Sequence, residues 1–190
     1  MFRFSFLLIL VFLTSLAFTQ NKFEKEARLK EDQVPIESVR FIEPQKLDTK
    51  VKWYFEENFD GNSIEAKFKY EGRRYSVEFD TNGCFQDLEI EVVFGSLPMN
   101  TVVKITSTLD TIYSKYKVQK LQLQYSGDLP SFIFFIRLDA PEDKYVLKYE
   151  IVVKVKTEDG WLLHELLFDE SGKLEKKSRI VFRNTDNLEF

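Results

Sequence analysis

The chain has 190 residues, 44% hydrophobic and 15% aromatic, and its 27 basic and 31 acidic residues leave a net charge of −4. One Cys and one His exclude an intramolecular disulfide framework, a multi-Cys zinc or iron–sulfur centre and any site built from several histidines. The acidic balance removes the bulk electrostatic footprint of a nucleic-acid binder, and the aromatic content argues against a disordered chain.

Residues 1–19 carry Arg3 ahead of an unbroken apolar run over 6–13, and Ala17 and Thr19 place small residues shortly before Gln20. This is the pattern of a cleaved secretory signal, with cleavage after Ala17 as the competing position. An exported protein, periplasmic or extracellular, is expected. No later run approaches the ~20 apolar residues of a spanning helix, so no membrane span is expected after cleavage. Residues 20–48 read as a charged leader, with a short helix over 35–42 opened by Pro35 and stopped by Pro44.

From Lys50 the period is two. Ile64, Ala66, Phe68 and Tyr70 alternate with Glu65, Lys67 and Lys69, and Tyr75, Val77 and Phe79 alternate with Arg74, Ser76 and Glu78. Such alternation predicts antiparallel strands with one covered face and one solvated, charged face. Glu71-Gly72 and Asn82-Gly83 supply the turns. Residues 85–94 continue as a strand, with a bulge near Gln86-Asp87 needed to bring Phe85 inward. After Pro98 the spacing of Val102, Ile105, Leu109, Ile112 and Tyr116 becomes helical, with Asn100 or Thr101 as cap. Strand alternation returns at Leu121, Leu123 and Tyr125.

The motif F-D-x-x-G-x-[FL] occurs at residues 79–85 and again at 168–174, each time after a hairpin. Duplication of a helix-plus-sheet unit follows. The expected fold is α+β, built as two tandem helix-plus-antiparallel-sheet repeats with helices on one face, their strands joined most simply into one sheet. Repeat 1 spans 49–96 and repeat 2 spans 97–183, with an insertion at 126–145 and a C-terminal tail at 184–190.

VKWYFEE, IEAKFKYEGRRYSVEFDTNG, SLP before a helix, and YEIVVKV with LLFDESGKL resemble the bacterial PepSY-like secreted family, over roughly residues 50–183. The resemblance implies the beta-lactamase-inhibitor-protein type of fold and an envelope or secreted protein that binds another protein through its sheet. It brings no catalytic residues to transfer.

Chemistry is weakly represented. A Cys–His pair would need Cys84, at a turn exit, and His164, which shares the Leu162, Leu166 and Phe168 face expected beneath the helices. Asp80-Thr81-Asn82-Gly83 and Asp169-Glu170-Ser171-Gly172 begin like calcium loops, but Gly arrives at position four rather than six, as in a turn. No enzyme, metal or cofactor is expected. A carboxylate hydrolase is the least favoured reading, to be revived by two carboxylates converging in a pocket with raised pKa values.

On the outward face of the second half, Val152, Trp161, Leu163 and Leu167 form an apolar group beside Lys154 and Glu165. These residues are the candidate partner-binding surface. In the competing arrangement the insertion folds over them with Phe132, Phe134 and Phe135. The leading functional reading is a non-catalytic protein-binding or inhibitor-like module that binds a protein partner through the open sheet face, with no nucleic acid involved. The alternative is a carrier of a small apolar ligand in the envelope.

Overall fold

The computed structural model describes residues 20–42, 49–58, 61–127, 145–158 and 160–182. The expected signal segment, Phe132, Phe134 and Phe135 of the insertion, and the tail at 184–190 lie outside the described residues.

In chain order the elements are β1 (Gln20–Leu29), α1 (Ile36–Ile42), β2 (Lys52–Asn58), β3 (Gly61–Tyr70), β4 (Arg73–Asp80) and β5 (Phe85–Glu91), followed by α2 (Met99–Ile112), β6 (Tyr116–Gly127), β7 (Tyr145–Thr157), β8 (Gly160–Asp169) and β9 (Leu174–Phe182). Each strand pairs antiparallel with the next. The first half of β1 also pairs parallel with β9, from Gln20↔Ser178 to Glu24↔Phe182, so the nine strands close on themselves.

This corrects the expected fold class. The molecule is α+β in the general sense, but its strands form one nine-stranded sheet rather than two tandem helix-plus-sheet repeats. Only two α-helices occur among the described residues. Hairpin motifs specify local pairing. They leave the backbone groups of β5 and β6 open, and these edges satisfy one another from Asp87↔Ser126 to Glu91↔Gln122. The charged leader is a second correction. Residues 20–29 form β1, held by its backbone ladders to β2 and β9.

The expected bulge is present: Glu78 pairs Asp87 and Phe79 pairs Phe85, leaving Gln86 as the extra residue. Pro98 occupies the N-cap position of α2 and no side chain caps that end, contrary to the Asn100 or Thr101 expectation. Instead α2 is held by packing, with Ile105 and Leu109 buried against Ile151, Val153, Leu166 and Phe168. The seven-residue α1 buries Ile42 among Trp53, Val77 and Phe79.

The two F-D-x-x-G turns seat on the helices. Gly83 has φ +90°, and a Cβ there would lie 2.9 Å from Pro35 Cβ and 3.0 Å from Glu37 Cβ. Gly172, at φ +82°, approaches α2 in the same way, 3.2 Å from Lys104 Cβ. Each glycine thus serves both a left-handed backbone and a close contact.

Closure of the sheet buries its second face. The helices cover the apolar face, so the alternate residues point inside the ring. Among them Glu56, Ser63, Glu65, Ser76, Gln122, Glu150 and Ser178 are buried. The expected solvated face is an inner polar face.

Candidate functional site

The inner face brings together side chains distant in sequence. The register sets Glu26 beside Glu56, Glu56 beside Ser63, and Tyr54 beside Glu65. As a result Glu26, Glu56 and Glu65 each bring a carboxylate oxygen within 4.8 Å of the others. These three could hold a metal ion, but Lys67 competes for the same place. Its Nζ stands 2.7 Å from Glu26, 3.8 Å from Glu56 and 2.6 Å from Glu65. Ser76 Oγ donates to the other oxygen of Glu65.

Burial divides the roles of the two carboxyls. It pushes Glu56 up to about 10, reinforced by the hydrogen bond to Glu65 and the negative charges of Glu65 and Glu78. Burial would raise Glu65 too, but the hydrogen bond from Glu56 and the Lys67 charge hold it below the usual carboxylate range. At neutral pH, Glu56 is therefore a protonated donor and Glu65 a charged acceptor. This approaches the condition that would revive a carboxylate hydrolase. The arrangement differs in one respect: the oxygens of Glu65 are already engaged within the network, by Lys67, Ser76 and Glu56.

A second acidic group lies across β5, β6 and β7. Burial, followed by the charges of Glu150 and Asp87, pushes Glu89 well above its ordinary value. Gln122 Nε2 donates to Glu89 Oε2 at 2.7 Å. Beside these groups, β2 to β6 enclose a cavity of about 480 Å³, with Glu65, Lys67 and Gln122 in its wall.

The sequence-derived surface falls on β7 and β8, on the same inner face. Trp161 is 41% exposed, Leu163 and Leu167 are half-buried, and Val152 is 9% exposed. The Nζ atoms of Lys154 and Lys156 lie 5.4 and 5.8 Å from the centre of the Trp161 ring system.

His164 lies on the opposite face, half-buried, with Nδ1 2.7 Å from the Tyr113 hydroxyl. Burial, with Lys177 and Arg179 adding, lowers its pKa and favours the neutral ring. Cys84 is exposed at the turn exit. The two calcium-like segments are Asx turns: Asp80 Oδ1 accepts from the Asn82 and Cys84 backbone N–H groups, and Asp169 Oδ1 accepts from Lys173 N–H and Ser171 Oγ.

Over the described residues the structure therefore defines an α+β protein whose single curled sheet carries two α-helices on its apolar face and a charged network on its inner face. Among solved structures it is similar to a DUF2874 family protein from Bacteroides ovatus, at 16% identity and TM-score 0.50, over 77% of this chain and 87% of that one. It is likewise similar to a candidate periplasmic protein from Bacteroides eggerthii, at 10% identity and TM-score 0.51, over 77% and 88% of the two chains. A BLIP-like protein from Bacteroides fragilis aligns at 19% identity and TM-score 0.46, over 77% and 86%. No family model and no curated protein matches the sequence. At these identities the likeness shows a shared fold alone, and the PepSY-like family in particular is not shown by it.

Proposed function

We propose that the protein is an exported, non-catalytic module of the cell envelope that binds a protein partner, as the PepSY-like resemblance implies. Trp161 carries this reading. It stands exposed on β8, on the face away from the helix-backed cores, with two ammonium groups near its ring. A large apolar plane with a positive margin suits a partner loop that offers an apolar side chain and a carboxylate. Leu163 and Leu167 continue the surface along β8, and Val152 lies on the same face of β7, opposite Glu165, where it is buried. Export is supported by the signal-like segment and by the candidate periplasmic structural neighbour. Consistent with this, among the described residues no helix is long and apolar enough to cross a membrane. The engaged oxygens of Glu65 favour the non-catalytic reading. An inner face lined by Glu, Ser and Gln does not favour the apolar-ligand carrier.

The test is capture of partners from envelope extract on immobilised wild type and Trp161→Ala. Loss of a specific partner from the variant is expected. Retention of every partner would overturn the assigned surface.

A further inference from the structure

The cavity on β2 to β6 has a charge opposite to that of the whole chain. Six of its lining residues are basic: Lys50, Lys52, Lys67, Lys69, Arg74 and Lys120. Only Glu65 and Glu91 oppose them in the lining, in a chain of net charge −4. Three of the cations are already partnered. Lys67 is held by Glu26 and Glu65, Arg74 NH1 lies 3.3 Å from Glu91, and Lys120 Nζ lies 3.7 Å from Glu150. Lys50, Lys52 and Lys69 are exposed and meet no carboxylate among the described residues. Three ammonium groups with no carboxylate partner among the described residues surround one concavity and create a local positive potential that an anion relieves.

Gln122, also in the wall, makes a different demand. It is 6% exposed; its Nε2 donates to Glu89, and its Oε1 is buried without a hydrogen-bond partner. A buried acceptor in this state carries a desolvation penalty that a ligand hydroxyl removes. The cavity volume of about 480 Å³ falls in the ~300–1,000 Å³ range of small-molecule sites. Lysine ammonium groups recognise phosphate and carboxylate as point charges and so tolerate varied anion geometry.

We propose that this cavity binds a small hydroxylated polyanion, a sugar bearing two or more phosphate or carboxylate groups. Lys50, Lys52 and Lys69 hold the anionic groups at the mouth, and a sugar hydroxyl donates to Gln122 Oε1. This site is separate from the Trp161 surface and does not depend on it.

Titration calorimetry on the purified protein tests the proposal with four probes: fructose 1,6-bisphosphate, digalacturonate, pyrophosphate and neutral fructose. Saturable binding of the bisphosphate or of the diuronate is expected, weakening as salt is raised. Which of the two binds identifies phosphate or carboxylate as the source of charge. Pyrophosphate is expected to bind more weakly than the sugar ligand, and fructose not to bind. The triple variant Lys50→Gln/Lys52→Gln/Lys69→Gln keeps its thermal midpoint, because these side chains are exposed, and weakens the sugar ligand by about tenfold or more. Gln122→Met weakens the sugar ligand while leaving pyrophosphate unchanged, which separates loss of the acceptor from loss of the fold. Absence of saturation by both charged sugars at millimolar concentration would overturn the site, as would unchanged affinity in the triple variant. Equal affinity for pyrophosphate and the sugar ligand would overturn the role of Gln122. Trp161→Ala is expected to bind all four probes as wild type does.

Discussion

Replacing Glu56 by Gln isolates the proton held by the carboxylate pair. In the folded chain, burial holds Glu56 up to about 10, against an ordinary value of 4.5. Between those values the folded state binds one proton that the unfolded chain has released. The stabilisation is therefore complete below the ordinary value and is lost as pH rises toward the folded one. One such proton corresponds to ~1.4 kcal/mol per pH unit, so this group alone removes about 3 kcal/mol between pH 6 and pH 8. Glu65 does not alter the slope in this window, because a carboxyl held low is ionised in both states there. Glu89 adds a slope of the same sign, but it is present in both proteins and cancels in the comparison. The amide introduced by Glu56→Gln would offer Glu65 an uncharged donor at every pH. Relative to wild type, the variant therefore gains about 3 kcal/mol over the window, or roughly 6–12 °C in thermal midpoint for a chain of this size. Thermal unfolding followed by circular dichroism at constant ionic strength, from pH 5 to pH 8, measures it. Parallel midpoint curves for the two proteins would refute the shared-proton account of Glu56 and Glu65.

Gly83→Ala places a Cβ 2.9 Å from Pro35 Cβ on a backbone at φ +90°; the left-handed strain and the overlap together are expected to destabilise by about 2–4 kcal/mol in urea unfolding. A loss below about 0.5 kcal/mol would show that the turn does not bear on the entry to α1. Lys67→Met leaves Glu26, Glu56 and Glu65 without their shared cation; with its side chain 37% exposed, the expected loss is about 2 kcal/mol, below the ~3–5 of a fully buried pair. Addition of Glu65→Gln should recover part of that loss, and failure to do so would place the effect in packing rather than charge.

How much of this was legible in the sequence follows from what alternation encodes. The pattern from Ile64 to Phe79 specified β3, β4 and their turn, and Phe85 demanded the bulge found at Gln86. Alternation says that Glu65 and Ser76 leave the apolar face; it does not say whether they arrive in water or inside a closed ring. That distinction depends on β1, whose sequence QNKFEKEARL carries no clean apolar face. Its place is set by backbone pairing with β2 and β9, which leaves no periodic trace. The carboxylate cluster was hidden for the same reason, since Glu26 reaches Glu56 only through the β1–β2 ladder. Alternation groups Val152, Trp161, Leu163 and Leu167 on one face but does not encode depth, and along that face Val152 is buried while Trp161 is exposed. The two F-D-x-x-G motifs are real turns, but a recurring turn reports a recurring local contact with a helix and does not divide the sheet.

The parallel seam between β1 and β9 has a kinetic meaning. Gln20 and Ser178 pair across almost the whole chain, whereas the other neighbouring strands in the ring are consecutive in sequence. Closing so long a loop is the slowest contact to form and the entropically costliest, so the ring is sealed last. Until then both edges of the seam stand unpaired, and the inner carboxylates remain in water at their ordinary acidity. Sealing would thus be accompanied by proton uptake at neutral pH, coupling the final step of folding to the acidity of the compartment in which the chain completes it.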